Sequence, residues 1–506
     1  MPASDNLFDI IATRTNNPDQ LALDAGPFSL TYAGLFERSG RMANTLVALG
    51  VKPGDRVAAQ VEKSTDVVAL ALACLRSGAA LLPLNTAYTL AEIEYFLSDA
   101  EPALTICRPE ALGPFRALGE RLGIREIESL GQSRDGTFAE RLAAAPAAFE
   151  TVPREADDLA AILYTSGTTG RSKGAMLTHR NLASNALTLV DYWRYTSDDR
   201  LIHALPVFHT HGLFVAINVA LLAGATMIYQ NRFDADAVVN ALPRATSLMG
   251  VPTFYTRLLD HPGLTREACA GMRLFISGSA PLLAETHRAW RERTGFAILE
   301  RYGMTETNMI TSNPYDGERR PGTVGFALPG VSVRVCEPES GAPLPQGETG
   351  VIEVKGPNVF RGYWRMPEKT AQEFRADGYF ITGDLGRVDE DGYIHIVGRA
   401  KDLVISGGFN VYPKEVESEI DAIEGVLESA VFGAPHPDFG EGVTAVVVPA
   451  PGASLDEDAI LAALSGRLAR FKAPKRVFLV DELPRNTMGK VQKAILRETY
   501  KTIYGG

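Results

Sequence analysis

The stretch DLAAILYTSGTTGRSKG, residues 158–174, joins an apolar run to a loop of small and hydroxyl-bearing residues. The apolar run predicts a buried β-strand, and the string TSGTTGRSKG after it predicts an irregular loop. Glycine allows unusual backbone angles and exposes N–H groups, while serine, threonine and lysine add further donors and a positive charge. A loop of this composition directly after a strand suits the oxygens of a polyphosphate.

Other interpretations of this loop have less support. The P-loop pattern GxxxxGK[ST] is absent. Residues 170–174 match the GxSxG elbow of serine hydrolases, but that motif needs its serine at a sharp turn directly after a strand, and Ser172 lies seven residues beyond Thr165. A flexible surface turn is the plain alternative for any Gly/Thr loop, although the length and regularity of this one disfavour it.

The regions around this stretch predict a layered α/β architecture. Helical and strand-like patterns alternate over the first 110 residues. Thr31 is a candidate cap for one helix, and Thr89 with Glu92 forms a capping box at the start of another. Residues 131–157 read as a polar connection, and residues 321–398 as short strands joined by turns. A new α/β pattern follows, with a helix expected near 457–470. We therefore expect a large N-terminal domain, 1–398, with a β-rich subdomain, and a small C-terminal α+β domain, 399–506.

Composition excludes several classes of protein. The 506 residues are 45% hydrophobic and 22% charged, which is typical of globular chains. A net charge of −11 without a long basic run argues against a general nucleic-acid or membrane-surface binder. The four cysteines are far apart, with no CxxC pair, and neither an export signal nor a membrane-spanning segment is evident, so we expect a cytoplasmic protein with reduced thiols.

Five separated strings carry a resemblance to a known family. They are YTSGTTGRSKG at 164–174, YGMTET at 302–307, TGD at 382–384, GRAKD at 398–402 and PRNTMGK at 484–490. Together they closely resemble, in the same order, the motifs of the acyl-adenylate-forming superfamily, which includes acyl-CoA synthetases, luciferases and peptide-synthetase adenylation domains. This resemblance implies that the small C-terminal domain is mobile.

The resemblance also implies two half-reactions with ATP, Mg²⁺ and coenzyme A (CoA). A carboxylate attacks the α-phosphate of ATP to give acyl-AMP and pyrophosphate, and a thiol then displaces AMP. A carboxylate is a poor electrophile because its charge is delocalised. Attaching AMP supplies a good leaving group and divides one difficult step into two easier ones. We expect positioning and charge stabilisation to dominate the first step.

The family motifs assign the nucleotide site residue by residue. The loop from Thr165 to Lys173 resembles the segment that holds the β- and γ-phosphates, Thr305 matches the α-phosphate contact and Glu306 the Mg²⁺ carboxylate. Asp384 and Arg399 resemble the partners of the ribose hydroxyls. The full set implied for ATP is Thr165, Ser166, Gly167, Thr168, Thr169, Gly170, Lys173, Ser279, Ala280, Pro281, Glu300, Tyr302, Gly303, Met304, Thr305, Asp384, Arg399 and Lys490.

The C-terminal motifs imply a catalytic lysine and a hinge. In the family, the lysine at the position of Lys490 bridges the substrate carboxylate and the α-phosphate, so its task is electrostatic. Lys401 occupies the hinge position, where the backbone rotates between the two half-reactions. The CoA channel is implied to be lined by Ser406, Gly407, Gly408 and Phe409.

The residue before Tyr302 gives a clue to the acid. It is often small in the superfamily, whereas this chain has Arg301, whose guanidinium can bind a second carboxylate through two parallel hydrogen bonds. ERYGMTET together with LPVFHTHGL, at 205–213, resembles malonyl-CoA synthetases, and His209 matches the family's gate beside the thiol tunnel. The plain alternative for Arg301 is a salt bridge to Glu300 or another acid. Methylmalonate differs from malonate by one methyl group and is a further candidate.

Malonate–CoA ligase is therefore the first hypothesis for this chain. The alternatives are an acyl-activating enzyme for another short acid or a carrier-protein thiol, and a noncatalytic nucleotide-binding protein. The intact Lys490, Glu306 and Asp384 disfavour the noncatalytic reading. A metal at His209 and His211 has little support, since two histidines without a third ligand seldom hold one. A protein lysine acetyltransferase acting on Lys490 is an expected partner, because acetylation removes the charge.

Overall fold

The computed structural model describes residues 4–165, 172–406, 409–465, 467–468, 470–486 and 489–505. The chain forms two compact units. The first comprises Met1–Ser332 and Lys355–Phe380, and the second comprises Val333–Val354 and Ile381–Gly506. The domain boundary expected near Arg399 lies within the second unit and stays a prediction.

The helices are short to medium in length, and several begin at the side-chain caps that the sequence predicts. Thr31 accepts a hydrogen bond from Gly34 N at the start of α2, and Thr89 forms a capping box with Glu92 at the start of α4. The α-helices are α1 (Leu7–Arg14), α2 (Tyr32–Ala48), α3 (Thr65–Ser77), α4 (Leu90–Ala100), α5 (Leu112–Leu122), α6 (Thr137–Leu142), α7 (His179–Tyr192), α8 (Ile217–Ala223), α9 (Ala235–Ala241), α10 (Pro252–Leu259), α11 (Ala284–Thr294), α12 (Pro367–Gln372), α13 (Pro413–Asp421), α14 (Glu457–Leu464) and α15 (Lys493–Thr499).

Within the described residues, the strands form four sheets, and the bounds of the strands are as follows. They are β1 (Leu21–Asp24), β2 (Leu30–Thr31), β3 (Arg56–Gln60), β4 (Ala80–Pro83), β5 (Leu104–Cys107), β6 (Glu126–Ser129), β7 (Leu159–Thr165), β8 (Lys173–Thr178), β9 (Arg200–His203), β10 (Thr226–Tyr229), β11 (Ser247–Gly250), β12 (Leu274–Ser277), β13 (Leu299–Met304), β14 (Asn308–Ser312), β15 (Phe326–Ala327), β16 (Ser332–Cys336), β17 (Gly350–Lys355), β18 (Gly362–Tyr363), β19 (Phe380–Val388), β20 (Ile394–Arg399), β21 (Val404–Ser406), β22 (Phe409–Val411), β23 (Val426–His436), β24 (Gly440–Pro449) and β25 (Arg476–Leu479).

The larger sheet of the first unit has a parallel centre. Its strand order is β15-β14-β13-β12-β11-β9-β10-β1-β2, and the neighbouring strands from β13 to β1 in this order are parallel. Helices α8, α9, α10 and α11 supply the crossovers that parallel strands require. Because these strands share one direction, the loops after β9, β11, β12 and β13 meet at the same edge of the sheet.

The second sheet of the first unit has the order β18-β8-β7-β4-β3-β5-β6. Strands β7, β4, β3, β5 and β6 are parallel, whereas β8 returns antiparallel to β7. Thr165, the last residue of β7, pairs with Lys173, the first residue of β8. The predicted phosphate loop is therefore joined at both ends to one antiparallel ladder.

The second unit contains the remaining two sheets. One has the order β16-β17-β19-β20, and the other has the order β22-β21-β24-β23 with β25 added beside β24. Valines of β23 and β24 pack with Val416 and Ile420 of α13 and with Ile460 of α14 in one core cluster. Covering one face of a sheet with helices in this way buries apolar side chains that would otherwise meet water.

The predicted mixed α/β fold is confirmed, with two local differences. Residues 131–157, expected to be a polar connection, include helix α6, whose Phe138 and Leu142 are buried. The helix expected near 457–470 is shorter and ends at Leu464. The four cysteines are buried, and none of them is part of a disulfide. Within the described ranges, no helix is long and apolar enough to cross a membrane.

Candidate active site

The loops after the parallel strands of the larger sheet carry most of the polar groups of the site. His209 and His211 follow β9, Gly278 and Ser279 follow β12, and Arg301 lies within β13. The carboxyl edge of a parallel sheet gathers such loops regardless of their distance in sequence. The first unit therefore brings together several of the predicted site residues.

Arg301 is a buried cation. Successive residues of β13 point to opposite faces of the sheet, and Glu300 Oε1 accepts a hydrogen bond from Leu282 N at 3.2 Å. Arg301 is 2% exposed, and its Nε and Nη2 atoms have no hydrogen-bond partner among the described residues. Burial lowers the pKa of the guanidinium to about 9, which leaves it protonated near pH 7. A buried charge without such partners is costly, and an anionic ligand would relieve that cost.

Gly278 leaves the space that the guanidinium occupies. A Cβ atom at this position would meet the Nη1 and Cζ atoms of Arg301 at 2.5 Å and its Nε atom at 2.7 Å. Real Cβ contacts are longer than this, so the absence of a side chain at residue 278 allows Arg301 to lie against the loop after β12.

His211 lies beside this arginine. It begins a π-helical turn, His211–Ala216, and is fully buried. Its Nδ1 is 3.1 Å from Ser279 Oγ, whereas its Nε2 has no hydrogen-bond partner within the described parts of the chain. Burial, followed by the positive charge of Arg301, holds the pKa of the imidazole well below its usual range. His211 is therefore neutral at physiological pH and can offer a hydrogen bond without adding charge.

The other predicted residues near this cluster occupy turn and strand positions. His209 lies two residues before His211, whose backbone N–H donates to His209 Nδ1 at 3.3 Å. Ser279 adopts the left-handed backbone conformation, with φ of 71°, and Ala280 and Pro281 follow it. Across the ranges that the structure describes, no group of three or more histidine, cysteine or acidic residues is arranged to hold a metal ion, so the metal interpretation of His209 and His211 gains no support.

The predicted phosphate loop is anchored at its ends. Thr165 pairs with Lys173, and Tyr95 of α4 donates a hydrogen bond to Ser172 O at 2.7 Å. Trp364 N also donates to Gly174 O at 2.7 Å. The predicted contacts between these ends, Ser166, Gly167, Thr168, Thr169 and Gly170, lie outside the described residues.

Lys173 and Glu306 are linked through two residues of the 355–380 segment. Lys173 Nζ lies 3.0 Å from Glu373 Oε1, and Glu373 Oε2 accepts a hydrogen bond from the Tyr363 hydroxyl at 2.6 Å. The same hydroxyl lies 3.0 Å from Glu306 Oε1. These contacts connect the predicted phosphate-binding lysine to the predicted magnesium carboxylate.

The donor set at Glu306 fits Mg²⁺. Glu306 is 5% exposed, and Phe360 N donates to its backbone carbonyl at 2.7 Å, so its carboxylate is held on a fixed backbone. Mg²⁺ prefers oxygen ligands and usually takes one or two carboxylates together with phosphate oxygens and water. Glu306 would supply the carboxylate, and the bound ion would neutralise charge on the phosphates.

The hairpin between β13 and β14 holds the remaining residues of the YGMTET string. Tyr302, Gly303, Met304 and Thr305 are half-buried. A Cβ atom on Gly303 would meet Asn308 O at 1.9 Å, so only glycine fits this close approach of two strands. The hairpin therefore fixes where Thr305 and Glu306 emerge from the sheet.

In the second unit, Asp384 and Arg399 face each other across β19 and β20. They form a cross-strand pair in which Arg399 Nε lies 2.6 Å from Asp384 Oδ1. Asp384 is 4% exposed, and its backbone N–H is bonded to Thr382 Oγ1 at 3.0 Å. The two predicted ribose partners are thus adjacent.

Lys490 is hydrogen-bonded to Asn486 in the same unit. Asn486 accepts a hydrogen bond from Lys490 N through Oδ1 at 2.9 Å, and Asn486 N donates to Lys490 O at 2.9 Å. Lys490 is an exposed residue. The pKa of its amine is nevertheless lowered, because protein atoms reduce its hydration and because the positive charge of Arg399 is nearby.

The predicted hinge and CoA residues also belong to the second unit. Lys401 lies in a single 3₁₀ turn, Ala400–Asp402, between β20 and β21, and incomplete hydration lowers the pKa of its amine. Ser406 is buried at the end of β21, while Phe409 is 57% exposed and lies against Phe471, with ring centroids 4.8 Å apart and the rings tilted by 30°. Gly407 and Gly408 lie outside the described residues.

Three residues that contact predicted site residues are not evident from the sequence. The spacing HTH places His211 beside His209 but suggests only a metal ligand for it. Tyr363 and Glu373 carried no recognisable signal, since they lie 57 and 200 residues from the groups they contact, Glu306 and Lys173. Contacts of that separation are set by the fold and not by local pattern.

Comparison with known proteins gives consistent matches. The profile of the AMP-binding enzyme family matches residues 12–364, and that of the AMP-binding enzyme C-terminal domain matches residues 415–490. A feruloyl-CoA synthase of Amycolatopsis sp. is 39% identical over 488 residues, which cover 96% of each chain. The mitochondrial malonate–CoA ligase of Mus musculus is 36% identical over 94% of this chain and 87% of its own.

Among solved structures, ATP-bound MatB from Rhodopseudomonas palustris is 63% identical, covers 99% of this chain and 100% of its own, and superposes with a TM-score of 0.97. The family that the five motifs predicted is thereby confirmed. The chain belongs to the AMP-binding enzyme family.

Proposed function

We propose that the protein is an ATP-dependent malonate–CoA ligase. In the first half-reaction, malonate and ATP give malonyl-AMP and pyrophosphate. In the second, CoA gives malonyl-CoA and AMP. The observation that carries the choice of acid is Arg301, a fully buried cation with two guanidinium nitrogens that lack a protein partner among the described residues.

A second carboxylate is the ligand that Arg301 favours. The planar guanidinium presents parallel N–H donors that match the two oxygens of a carboxylate. A monoacid such as butyrate would place a methyl group against the same donors and would leave the buried charge uncompensated. His211, neutral and 0% exposed, supports this preference, because its unpartnered Nε2 offers one further polar contact.

The relatives support acid–thiol ligation and leave the acid to be decided by the pocket. They include CoA ligases that act on indoleacetate and on oxalate as well as malonate–CoA ligases of Mus musculus and Arabidopsis thaliana. Since the acids of these relatives differ widely, the short dicarboxylate is inferred from Arg301 and its surroundings. Methylmalonate adds one methyl group, which an apolar pocket rejects by only about 1–3 kcal/mol, so we expect it to be a slower substrate.

The nucleotide roles are proposed as follows. The loop between Thr165 and Lys173 holds the β- and γ-phosphates, and Thr305 contacts the α-phosphate. Ser279, Ala280 and Pro281 form the adenine slot together with Tyr302, and Glu300, Gly303 and Met304 are further ATP-binding residues. Asp384 and Arg399, already adjacent, contact the ribose hydroxyls. These residues bind and orient the nucleotide so that a carboxylate oxygen meets the α-phosphorus in line.

Lys490 is proposed to stabilise the charge that develops at the α-phosphate. A fixed ammonium group lowers the energy of crowded oxygens in the transition state more than in the separated reactants. Lys401 is proposed as the hinge about which the C-terminal domain turns before the thiol arrives, and Ser406 to Phe409 as the lining of the CoA channel. Lys490 is also the proposed target of a protein lysine acetyltransferase, since acetylation would remove the charge this step needs.

A pyrophosphate-exchange screen over malonate, methylmalonate, succinate, acetate, butyrate and an aromatic acid tests the proposal. We expect malonate to give the fastest exchange, and butyrate, which has no second carboxylate, to be at least tenfold slower. Faster exchange with butyrate or an aromatic acid would overturn malonate as the substrate while keeping the enzyme class. Absence of exchange with every acid would overturn the ligase itself.

A further inference from the structure

Tyr363 is the shared contact of two buried or half-buried carboxylates. Its hydroxyl lies 2.6 Å from Glu373 Oε2 and 3.0 Å from Glu306 Oε1. The ring is 2% exposed and packs edge-on against Phe360, with centroids 4.8 Å apart. The hydroxyl is thus held between the two acids by a rigid aromatic body.

A phenol has one proton, so Tyr363 can donate to only one carboxylate at a time. The shorter of the two distances, 2.6 Å to Glu373 against 3.0 Å to Glu306, favours donation to Glu373. When the proton points to Glu373, the oxygen lone pairs face Glu306, and that contact is repulsive unless a positive charge compensates it. A cation at Glu306 would remove this repulsion.

Glu373 is the anion that faces two lysines. Its Oε1 lies 3.0 Å from Lys173 Nζ and 2.9 Å from Lys369 Nζ, and the Lys173 amine also lies 4.1 Å from the centre of the Tyr363 ring. The Lys173 and Glu373 side chains are 13% and 19% exposed, so water screens their attraction incompletely. Glu373 therefore neutralises a lysine of the predicted phosphate loop.

We propose that Tyr363 and Glu373 are positioning residues of the nucleotide site. The oxygen lone pairs of the Tyr363 hydroxyl, which face the Glu306 carboxylate, favour a cation at Glu306, and Glu373 is the counter-anion that Lys173 exchanges for polyphosphate oxygens. This inference rests on the proposed nucleotide-dependent function. It assigns opposite effects to the two residues, because Tyr363 favours metal binding whereas Glu373 competes with ATP for a lysine.

Replacing Tyr363 tests the first half. Tyr363→Phe removes the hydroxyl and keeps the ring that packs on Phe360. We expect Mn²⁺, titrated into the enzyme with saturating ATP and followed by electron paramagnetic resonance, to bind at least threefold more weakly than to the wild type. The control is Tyr195→Phe, which also removes a buried hydroxyl, bonded to Ser247 Oγ at 2.7 Å, and should leave Mn²⁺ binding unchanged.

Replacing Glu373 tests the second half. Glu373→Gln removes the negative charge with little change of shape. We expect ATP, titrated calorimetrically in the presence of EDTA, to bind at least threefold more tightly, because Lys173 and Lys369 lose their competing anion. Glu368→Gln makes the same charge change on the exposed side of α12 and should have a much smaller effect.

The signs of the two effects separate positioning from damage. Local unfolding of a variant would weaken its binding of both Mn²⁺ and ATP, whereas tighter ATP binding cannot arise from damage. If Glu373→Gln binds ATP more weakly than the wild type, or equally well, the counter-anion role of Glu373 is overturned. Unchanged Mn²⁺ affinity in Tyr363→Phe, or an equal loss in Tyr195→Phe, overturns the role of Tyr363. If the wild type itself binds neither ATP nor Mn²⁺ with ATP, the proposed function fails, which is a distinct result.

Discussion

Gly278 and Arg301 occupy complementary space, since a Cβ atom on Gly278 would lie 2.5 Å from the guanidinium carbon. Gly278→Ala should therefore push the guanidinium away from its present position. We expect kcat/KM for malonate to fall at least tenfold, while calorimetric ATP binding changes little. Gly113→Ala is a suitable control, because a Cβ atom there has no neighbour within 4 Å. A variant at residue 278 that keeps wild-type activity with malonate would show that the guanidinium position is not critical.

Arg301→Ala removes the charge itself. We expect malonate activation, measured by pyrophosphate exchange, to fall at least about tenfold, which corresponds to 1.4 kcal/mol, with little change in ATP affinity. Arg301→Lys keeps a positive charge but loses the planar guanidinium. Its malonate activation should therefore lie between that of the wild type and that of Arg301→Ala. If the ratio of malonate to butyrate activity is unchanged in Arg301→Ala, the residue does not contact the acid.

The sequence predicts candidate site residues where their chemistry is encoded by a local pattern. These residues lie in contiguous segments whose residue types indicate their chemistry. The segments are the strand with its Gly/Thr loop, the TGD and GRAKD strings, and the string before Lys490. Capping signals such as Thr89 with Glu92 act within one helical turn, and this capping box is confirmed at the start of α4. The same locality explains why the helix α6 was missed, since six residues carry a weak periodic signal.

What the sequence did not predict is set by long-range packing. The burial of Arg301 depends on Gly278, 23 residues earlier, and on the carboxyl edge of a parallel sheet whose strand order is not readable from pattern. The plain alternative, a salt bridge that satisfies the Arg301 side chain, also depends on the fold, and among the described residues Nε and Nη2 have no hydrogen-bond partner. Tyr363 and Glu373 show the same limit at the nucleotide site.

Lys490→Ala should separate the half-reactions. We expect formation of malonyl-AMP to be abolished, because the developing charge at the α-phosphate loses its ammonium partner. Conversion of supplied malonyl-AMP and CoA to malonyl-CoA should continue at a rate close to that of the wild type. Lys501→Ala, which removes an exposed lysine of the same unit, is the control. Equal loss of both half-reactions would contradict this division of roles.

Lys401→Pro should give the opposite pattern. Proline fixes φ near −65° and so restricts backbone rotation at the proposed hinge. We expect malonyl-AMP formation to persist, while malonyl-CoA formation from supplied malonyl-AMP falls at least tenfold, as followed by rapid-quench analysis of each step. Lys401→Ala keeps the backbone free and should preserve both steps. A proline variant that completes both half-reactions normally would place the hinge elsewhere.

His179 should make the first unit sensitive to acid. It is 1% exposed, its Nδ1 accepts a hydrogen bond from Leu7 N at 3.1 Å, and burial, with a smaller effect of Arg154, lowers its pKa to about 4. Asp158 opposes this shift. His179 binds a proton near pH 6.5 in the unfolded chain and near pH 4 in the folded protein. Its contribution to the free energy of unfolding is therefore fully present above pH 6.5. It is lost as the pH falls toward 4, by up to about 3 kcal/mol.

His179→Asn tests this dependence, since the Asn carbonyl can accept from Leu7 N but does not titrate. We expect the variant to be less stable than the wild type at pH 7, because it loses part of the packed ring. Its urea midpoint should decrease less between pH 6.5 and 4.5. Other titrating groups contribute to both proteins and cancel in the difference between the two slopes. Parallel slopes would mean that His179 is protonated in the folded protein as readily as in the unfolded chain, and the acid sensitivity would then arise elsewhere.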